Sequence, residues 1–341
     1  MAVTIKDVAR AAGFSVATVS RVLNGSGPVK PETERRVRDA ARQLRFTPNV
    51  AARSLTTSRT STLGVLLPDL HGEFFSEVIR GIDQAAQEAG YHVVVSSSHN
   101  DHAEITAALD AMRGRVDGVA IMSPTLDAAQ LRADLPSALP VVLLNCADAR
   151  GEFDVLGIDN RGGAFAMTRH LIALGRQRIA FVCGARGNAD AEARLSGYRA
   201  ALCDARAERR DEWELEGNFV QQSGYEAAHR IMAMSPRPDA LFCANDAMAI
   251  GALAALREGG LRVPGDVAVA GFDDIPIARY MHPPLTTVRV DIAGLGASAV
   301  RTLLHAVGRK NAHERVHETL PTELVIRDSC GAAQLRAGRV S

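Results

Sequence analysis

Apolar positions change their spacing twice along the chain. Over residues 5–44 they recur three and four apart, the period of short amphipathic helices. Thr4, with Asp7 three residues on, can cap a helix whose inner face is Val8, Ala9 and Ala12, and Gly13 stops it. Ser15 can cap a second helix almost at once. Val19, Val22 and Leu23 share one side of it, and Asn24-Gly25 ends it. Pro31 suits the first position of a third helix. Along that helix Val37, Ala40, Ala41 and Leu44 recur on one face, and Arg35, Arg38 and Arg42 occupy the other. Two short helices joined by a tight, glycine-containing turn have the layout of a helix-turn-helix.

From Pro48 to Leu55 a helix can begin, but the stretch is too short to be stable alone. Thr56–Ser61 reads as a polar linker. The pattern then becomes short apolar runs alternating with amphipathic stretches. Strands are predicted at 63–68, 91–96, 118–123, 141–145, 155–159, 178–183, 240–244, 267–271, 287–290 and 323–326. Helices are predicted at 75–89, 103–113, 163–174, 191–205, 224–234, 248–258 and 292–307. Continuous apolar runs separated by helices imply parallel sheets covered on both faces. The stretch is long for one open sheet, so two lobes are expected. The predicted organisation is an all-α head over 1–47, a hinge helix and linker over 48–61, a two-lobed α/β core over 62–330 and a tail over 331–341. The tail lacks apolar heptads, so no helical tetramerising extension is expected.

Charge sharpens this division. Basic and acidic side chains balance at 39 each. Residues 1–60, however, hold eleven basic and four acidic groups, a net +7, which leaves −7 on the rest. Such asymmetry suggests a polyanion-binding segment joined to something else. A basic helical face is often merely solvated, so the second helix carries more weight. Val16, Ala17, Thr18, Ser20 and Arg21 lie off its apolar stripe. They offer groups able to meet a thymine methyl, phosphate oxygens and a guanine edge.

Other chemistry is thin. The five cysteines are scattered and odd in number, which fits a reduced cytosol. No run approaches the roughly 18 apolar residues of a membrane span, and the first residues lack the apolar run of a signal peptide. Gly294-Leu295-Gly296-Ala297-Ser298-Ala299 spells a dinucleotide-like motif, but no parallel strand with an acidic ribose ligand follows it. The pairs His99/His102 and His313/His317 have no evident third ligand. No cofactor, no metal and no catalytic constellation are expected. Trp213 reads as a partly exposed packing residue.

Thr4-Ile5-Lys6-Asp7-Val8-Ala9, Ser15–Asn24 and Ala51-Ala52-Arg53-Ser54-Leu55 together resemble the DNA-binding head and hinge of the lactose-repressor (LacI) family. The resemblance implies that Val16, Ala17 and Arg21 read the major groove and that Thr18 and Ser20 touch phosphates. It also places Thr4, Ser15, Asn24, Ala52 and Arg53 at the DNA. Hinge helices of two subunits would fold on the minor groove, with Leu55 wedged between base pairs. Two positions depart from the family pattern. Lys30 is a poor cap for the third helix. Arg45 stands where glycine is common, at a cost of about 1 kcal/mol if its backbone is left-handed.

The core resembles the same family's effector domain, which is similar to periplasmic sugar-binding proteins. Gly64–Pro68, Arg194–Tyr198, Ala244–Gly251, Gly271–Asp274 and Pro284–Val288 carry this likeness. A ligand would lie between the lobes at strand C-termini. Arg194, Asn245 and Asp273 are the leading candidates, with Asp159, Phe74 and Phe219 behind them; Phe75 could also stack on a ring. The implied protein is a homodimeric repressor on a pseudo-palindromic double-stranded operator, cytoplasmic and with no membrane partner. The implied small-molecule effector is a sugar or sugar derivative. The alternatives are a purine-responsive co-repressed repressor, a solute-binding protein without DNA function and, opposed by the missing catalytic groups, a cytosolic enzyme.

Overall fold

The computed structural model describes residues 3–24, 28–46, 59–123, 131–132, 135, 139–146, 151–308 and 314–332. The chain divides into two compact units, one of residues 1–61 with 114–117 and one of the remainder.

In the first unit three helices form, α1 (Ile5–Ala12), α2 (Val16–Asn24) and α3 (Pro31–Gln43). Their ends follow the expected local chemistry. The Thr4 N–H and hydroxyl both donate to the Asp7 carboxylate, at 2.9 and 2.7 Å. Gly13 is left-handed, and the Ser15 hydroxyl accepts from the Thr18 N–H at 3.1 Å. Val8, Ala9, Ala12, Val19, Val22, Val37, Ala40 and Ala41 form a small core. Arg36 braces it, donating to the Ala12 carbonyl at 3.1 Å with its guanidinium 5.0 Å from the Phe14 ring centre. Both departures noted in the sequence appear. Lys30 makes no side-chain cap, and Arg45 is left-handed at φ 50°.

The second unit holds two six-stranded sheets. One has the order β2 (His92–Ser97), β1 (Thr62–Leu67), β3 (Gly118–Met122), β4 (Val141–Leu144), β5 (Asp154–Ile158), β11 (His317–Leu320), all parallel. The other has the order β7 (Glu214–Leu215), β6 (Ile179–Val182), β8 (Ala240–Cys243), β9 (Ala268–Asp273), β10 (Thr286–Arg289), β12 (Glu323–Val325). It is parallel except that β12 runs antiparallel to β10, a departure from the all-parallel expectation.

The central strands are buried apolar runs, as sheets covered on both faces require. Helices α4 (Glu73–Glu88) and α5 (His102–Met112) lie in the first lobe. Helices α7 (Ala189–Asp204), α8 (Gln221–Met232) and α9 (Asp246–Glu258) lie in the second. The chain passes between lobes three times. After β5, α6 (Asn160–Ala173) packs on α7, β10 and β12. After β10, α10 (Ile292–Gly308) returns to pack on α4, β3, β4 and β5. Then β11 hands over to β12.

Sequence patterning missed β7 and β11. The first is only two residues long, and the second is a polar edge strand exposed along most of its length. Trp213 was expected to be partly exposed but is fully buried, packed into the core of the second lobe beside β6. Only its neighbours in Arg210–Glu214 are polar, which disguised it. No helix among the described residues is long and apolar enough to cross a membrane.

The Gly294–Ala299 motif serves helix packing. A Cβ on Gly296 would overlap the Val78 carbonyl oxygen, so α4 and α10 meet backbone to backbone there. Gly296→Ala is expected to destabilise the core by about 1–3 kcal/mol, read from thermal unfolding. Gly308→Ala, whose added methyl meets nothing within 4 Å, should stay within about 0.5 kcal/mol of the parent.

Candidate ligand site and nucleic-acid interface

The C-terminal ends of the strands in the two lobes carry a polar cluster built around Arg194 of α7. This side chain is buried. Its Nε donates to Asn160 Oδ1 at 2.8 Å, and one terminal nitrogen donates to the Ala244 carbonyl at 2.5 Å. That same nitrogen lies 3.2 Å from Asp273 Oδ1. The guanidinium sits 3.8 Å from the Phe272 ring centre and 5.8 Å from that of Phe219. Burying a guanidinium is tolerable only when its charge and donors are met in this way.

Neighbours hold the remaining parts. The Asn245 Nδ2 donates to the Phe219 carbonyl at 2.9 Å, and its Oδ1 caps α9 through the Met248 N–H at 3.0 Å. The Phe219 ring lies over Gly184, where any Cβ would collide with it. Beneath Asp273, the buried Asp246 accepts from the Thr287 hydroxyl at 2.5 Å and the Ile275 N–H at 2.9 Å. Asn160 also donates to Asp190 Oδ1 at 2.8 Å. The Asn145 side chain of the first lobe lies near enough to Asp190 to favour its charged form. A second inter-lobe contact joins the Ile277 N–H to the Glu73 carboxylate at 3.1 Å.

Two features mark this cluster as a site. Asn145, Phe219, Asp273 and Asp274 all have positive φ, at 51°, 69°, 112° and 55°. Such backbone costs about 1–3 kcal/mol per residue and gathers where function requires it. Among the described residues, five buried side-chain polar atoms have no hydrogen-bond partner. Three of them, Ser123 Oγ, Asn145 Oδ1 and Asp273 Oδ1, belong to residues at strand C-termini. Asp273 Oδ1 is close to Arg194 in charge but not aligned with it for a hydrogen bond.

Burial pushes the Asp273 carboxyl up to about 6 against the opposing pull of Arg194, with Asp190 adding to the rise. Asp190 is likewise raised to about 6 by burial, again opposed by Arg194. Asp246 is raised well above the usual range, first by burial and then by Asp273.

Of the residues singled out in the sequence, Arg194, Asn245, Asp273 and Phe219 come together. Phe74 stands in the first turn of α4, in the other lobe, edge-on to Phe75 at 5.5 Å. Asp159 is exposed and caps α6 through the Gly162 N–H at 2.8 Å; its neighbour Asn160 is the residue in the cluster. Sequence reasoning passed over Asn160, Asp190, Asn145 and Ser123. Ser123 and Asn145 end predicted strands, so the strand-end rule that selected Asp273 also reaches them. Asn160 and Asp190 fall just before the predicted helices 163–174 and 191–205, in stretches with no role assigned from sequence.

In the head, Val16, Ala17 and Arg21 are exposed on α2. The Thr18 hydroxyl lies 2.9 Å from that of Ser15, and the Ser20 hydroxyl accepts from Asn24 Nδ2 at 3.1 Å. Exposed side chains thus flank hydroxyls already held in place. Ala52, Arg53 and Leu55 lie outside the described residues.

A helix-turn-helix head joined to a two-lobed α/β core with a polar inter-lobe cluster defines a ligand-binding DNA-binding regulator. Residues 4–49 match the model for bacterial regulatory proteins of the lacI family, and residues 168–330 match a periplasmic binding protein-like domain. The HTH-type transcriptional repressor PurR of Mannheimia succiniciproducens is 35% identical over 328 residues, covering 96% of this chain and 98% of the relative. That of Haemophilus influenzae strain PittEE is 34% identical over 331 residues, covering 96% and 98%. A lac repressor dimer bound to operator and the anti-inducer ONPF superposes with a TM-score of 0.85 at 31% identity, covering 97% of this chain and 99% of that one. A complex of the regulator CelR with cellobiose gives a TM-score of 0.72 at 31% identity, covering 96% and 99%. The chain belongs to the lacI family of bacterial regulatory proteins and is a DNA-binding transcriptional repressor with a ligand-binding effector domain.

A carboxyl raised in the native state adds stability below its unfolded pKa and loses it as pH climbs through the folded one. Asp273→Asn is therefore expected to gain on the parent as pH rises from about 4 to about 6, measured by denaturant unfolding. A stability difference that stays flat, or a variant that loses ground to the parent as pH rises, would contradict the assignment.

Proposed function

We propose that this repressor binds a pseudo-palindromic operator as a cytoplasmic homodimer and that a sugar or sugar derivative, bound between the lobes, sets its operator affinity. The buried Arg194–Asp273 pair, with unpartnered polar atoms at the strand ends around it, carries this reading. In it Arg194, Asn160, Asn245 and Asp273 bind polar groups of the ligand, while Phe219 lies against its ring. Phe74 and Asp159 complete the cleft from the first lobe and the first crossing. The related structure bound to cellobiose supports a sugar ligand.

The ligand acts by shifting a population. It favours one arrangement of the two lobes, and the lobes bias whether paired hinges can form on DNA. On the DNA side Val16, Ala17 and Arg21 read base edges. Thr4, Ser15, Thr18, Ser20 and Asn24 set the helix on the backbone, and Ala52, Arg53 and Leu55 serve the hinge. The +7 head favours this over a plain solute-binding protein.

A duplex selected by the full-length chain from a random pool tests the DNA half. Affinity should fall steeply with salt as counterions are displaced, and Arg21→Ala should cost about 1–3 kcal/mol. Binding that ignores salt would sink the reading. Leu55→Ala is expected to weaken operator binding and reduce DNA bending in a gel-mobility assay, without altering ligand affinity. Unchanged bending would refute the wedge role.

A further inference from the structure

We propose that the cleft is built for an uncharged, hydroxyl-rich ligand and that Asp190 is a specificity-determining residue that excludes phosphorylated and carboxylated analogues. This rests on the ligand-binding reading above and narrows it to a chemical class.

The inference comes from counting what each polar atom still lacks. Asn145 Oδ1 is buried and accepts no hydrogen bond, and Asp273 Oδ1 is met only by the charge of Arg194 at 3.2 Å; both residues are more than nine-tenths buried. An amide oxygen and a carboxylate oxygen can only accept. Ser123 Oγ, also buried and unpartnered, can do either. The open places therefore call for donors from the ligand. A sugar hydroxyl donates and accepts. A phosphate dianion or a carboxylate only accepts, and would leave these atoms unmet at the full cost of desolvation.

The cation in the site does not reverse this. Two nitrogens of Arg194 are already engaged by Asn160, the Ala244 carbonyl and Asp273, and the guanidinium plane lies against Phe272. Its charge is thus already opposed by Asp273 before a ligand arrives, and its remaining terminal nitrogen is left to bind a ligand hydroxyl. Asp190 then stands as a second carboxylate on the same wall, hydrogen-bonded by Asn160 at 2.8 Å and reached by Asn145 from the opposite lobe. It lies close enough to raise the pKa of both Asp273 and Cys146 by repulsion. Two acids face one arginine that is already paired with Asp273, so an incoming anion meets net repulsion in a partly desolvated cleft.

The sequence alone does not suggest this. Asp190 precedes Arg194 by one helical turn, and such a spacing reads as a simple surface pair. Only the fold turns that pair inward and brings Asn145 across to it.

The test is a calorimetric and thermal-shift panel on the full-length chain. It holds free aldopentoses and aldohexoses, cellobiose, the sugar phosphates and uronic acids of the same sugars, and free purine bases. At least one neutral sugar is expected to bind, with its phosphate or uronate at least a hundredfold weaker. Asp190→Asn is expected to narrow that gap tenfold or more, with emission from Trp213, the sole and buried tryptophan, confirming that the variant is folded. A phosphate or uronate binding within tenfold of its parent sugar overturns the inference while leaving the ligand-binding reading intact, and the wild-type ratio decides this even if the variant does not fold. An unchanged ratio in a folded Asp190→Asn variant removes Asp190 from the role. A purine base binding in place of every sugar overturns the proposed class, and a panel with no binder at all overturns the underlying reading as well.

Discussion

The buried guanidinium of Arg194 is the constraint around which the core's polar architecture is arranged. A charge in that position is tolerable only if every neighbour contributes. Asn160 contributes from just past the first crossing between lobes, Ala244 from the end of β8, Asp273 from the end of β9, and Phe272 through its ring. One side chain thereby ties three separate parts of the chain to one point. Asp273 and the crossing are thus tied to the same cation. Asp246 adds the floor. It holds the Ile275 backbone and Thr287, and so fixes the turn on which Asp273 is displayed.

That arrangement explains the clustering of unusual backbone at the site. Asp273 and Asp274 are consecutive and both at positive φ, so their carboxylates point to different partners. Asp273 faces Arg194. Asp274 pairs with Arg289, the last residue of β10, at 2.8 Å and with Arg327, just past β12, at 2.6 Å. The strained pair sits where the ligand wall meets the connections between lobes. Relaxed backbone at this corner would not serve both directions.

Much of this was legible in the sequence, and the reasons are physical. Buried parallel strands are continuous apolar runs, so the central strands were found to within a residue or two. The head declared itself through caps such as Thr4 with Asp7 and Ser15 with Thr18. Arg194, Asn245 and Asp273, which the structure brings together, stood out because they lie in matched motifs beside strand ends or on helix α7. What escaped was what only tertiary structure decides. Asn160 and Asp190 carry no local signal that separates a cap from a ligand wall. Asp159 gave the stronger signal and turned out to cap α6. Trp213 sits in so polar a stretch that its burial could not be read from its neighbours, and β11 pairs through its backbone while its side chains look like a loop.

The interleaving of the lobes has a consequence for how the protein is made. The first lobe's sheet is completed by β11, and the helix α10 that covers β3, β4 and β5 lies just before it in the chain. A ribosome therefore releases the head and most of the first lobe long before residues 292–320 arrive to close that sheet. Until then the open edge of β5 and the bare face beneath α10 are exposed on the nascent chain, the circumstances in which unpaired edges associate with the wrong partner. The DNA-binding head precedes the first lobe in synthesis, yet that lobe is finished only after the second-lobe elements from 160 to 289 have been made.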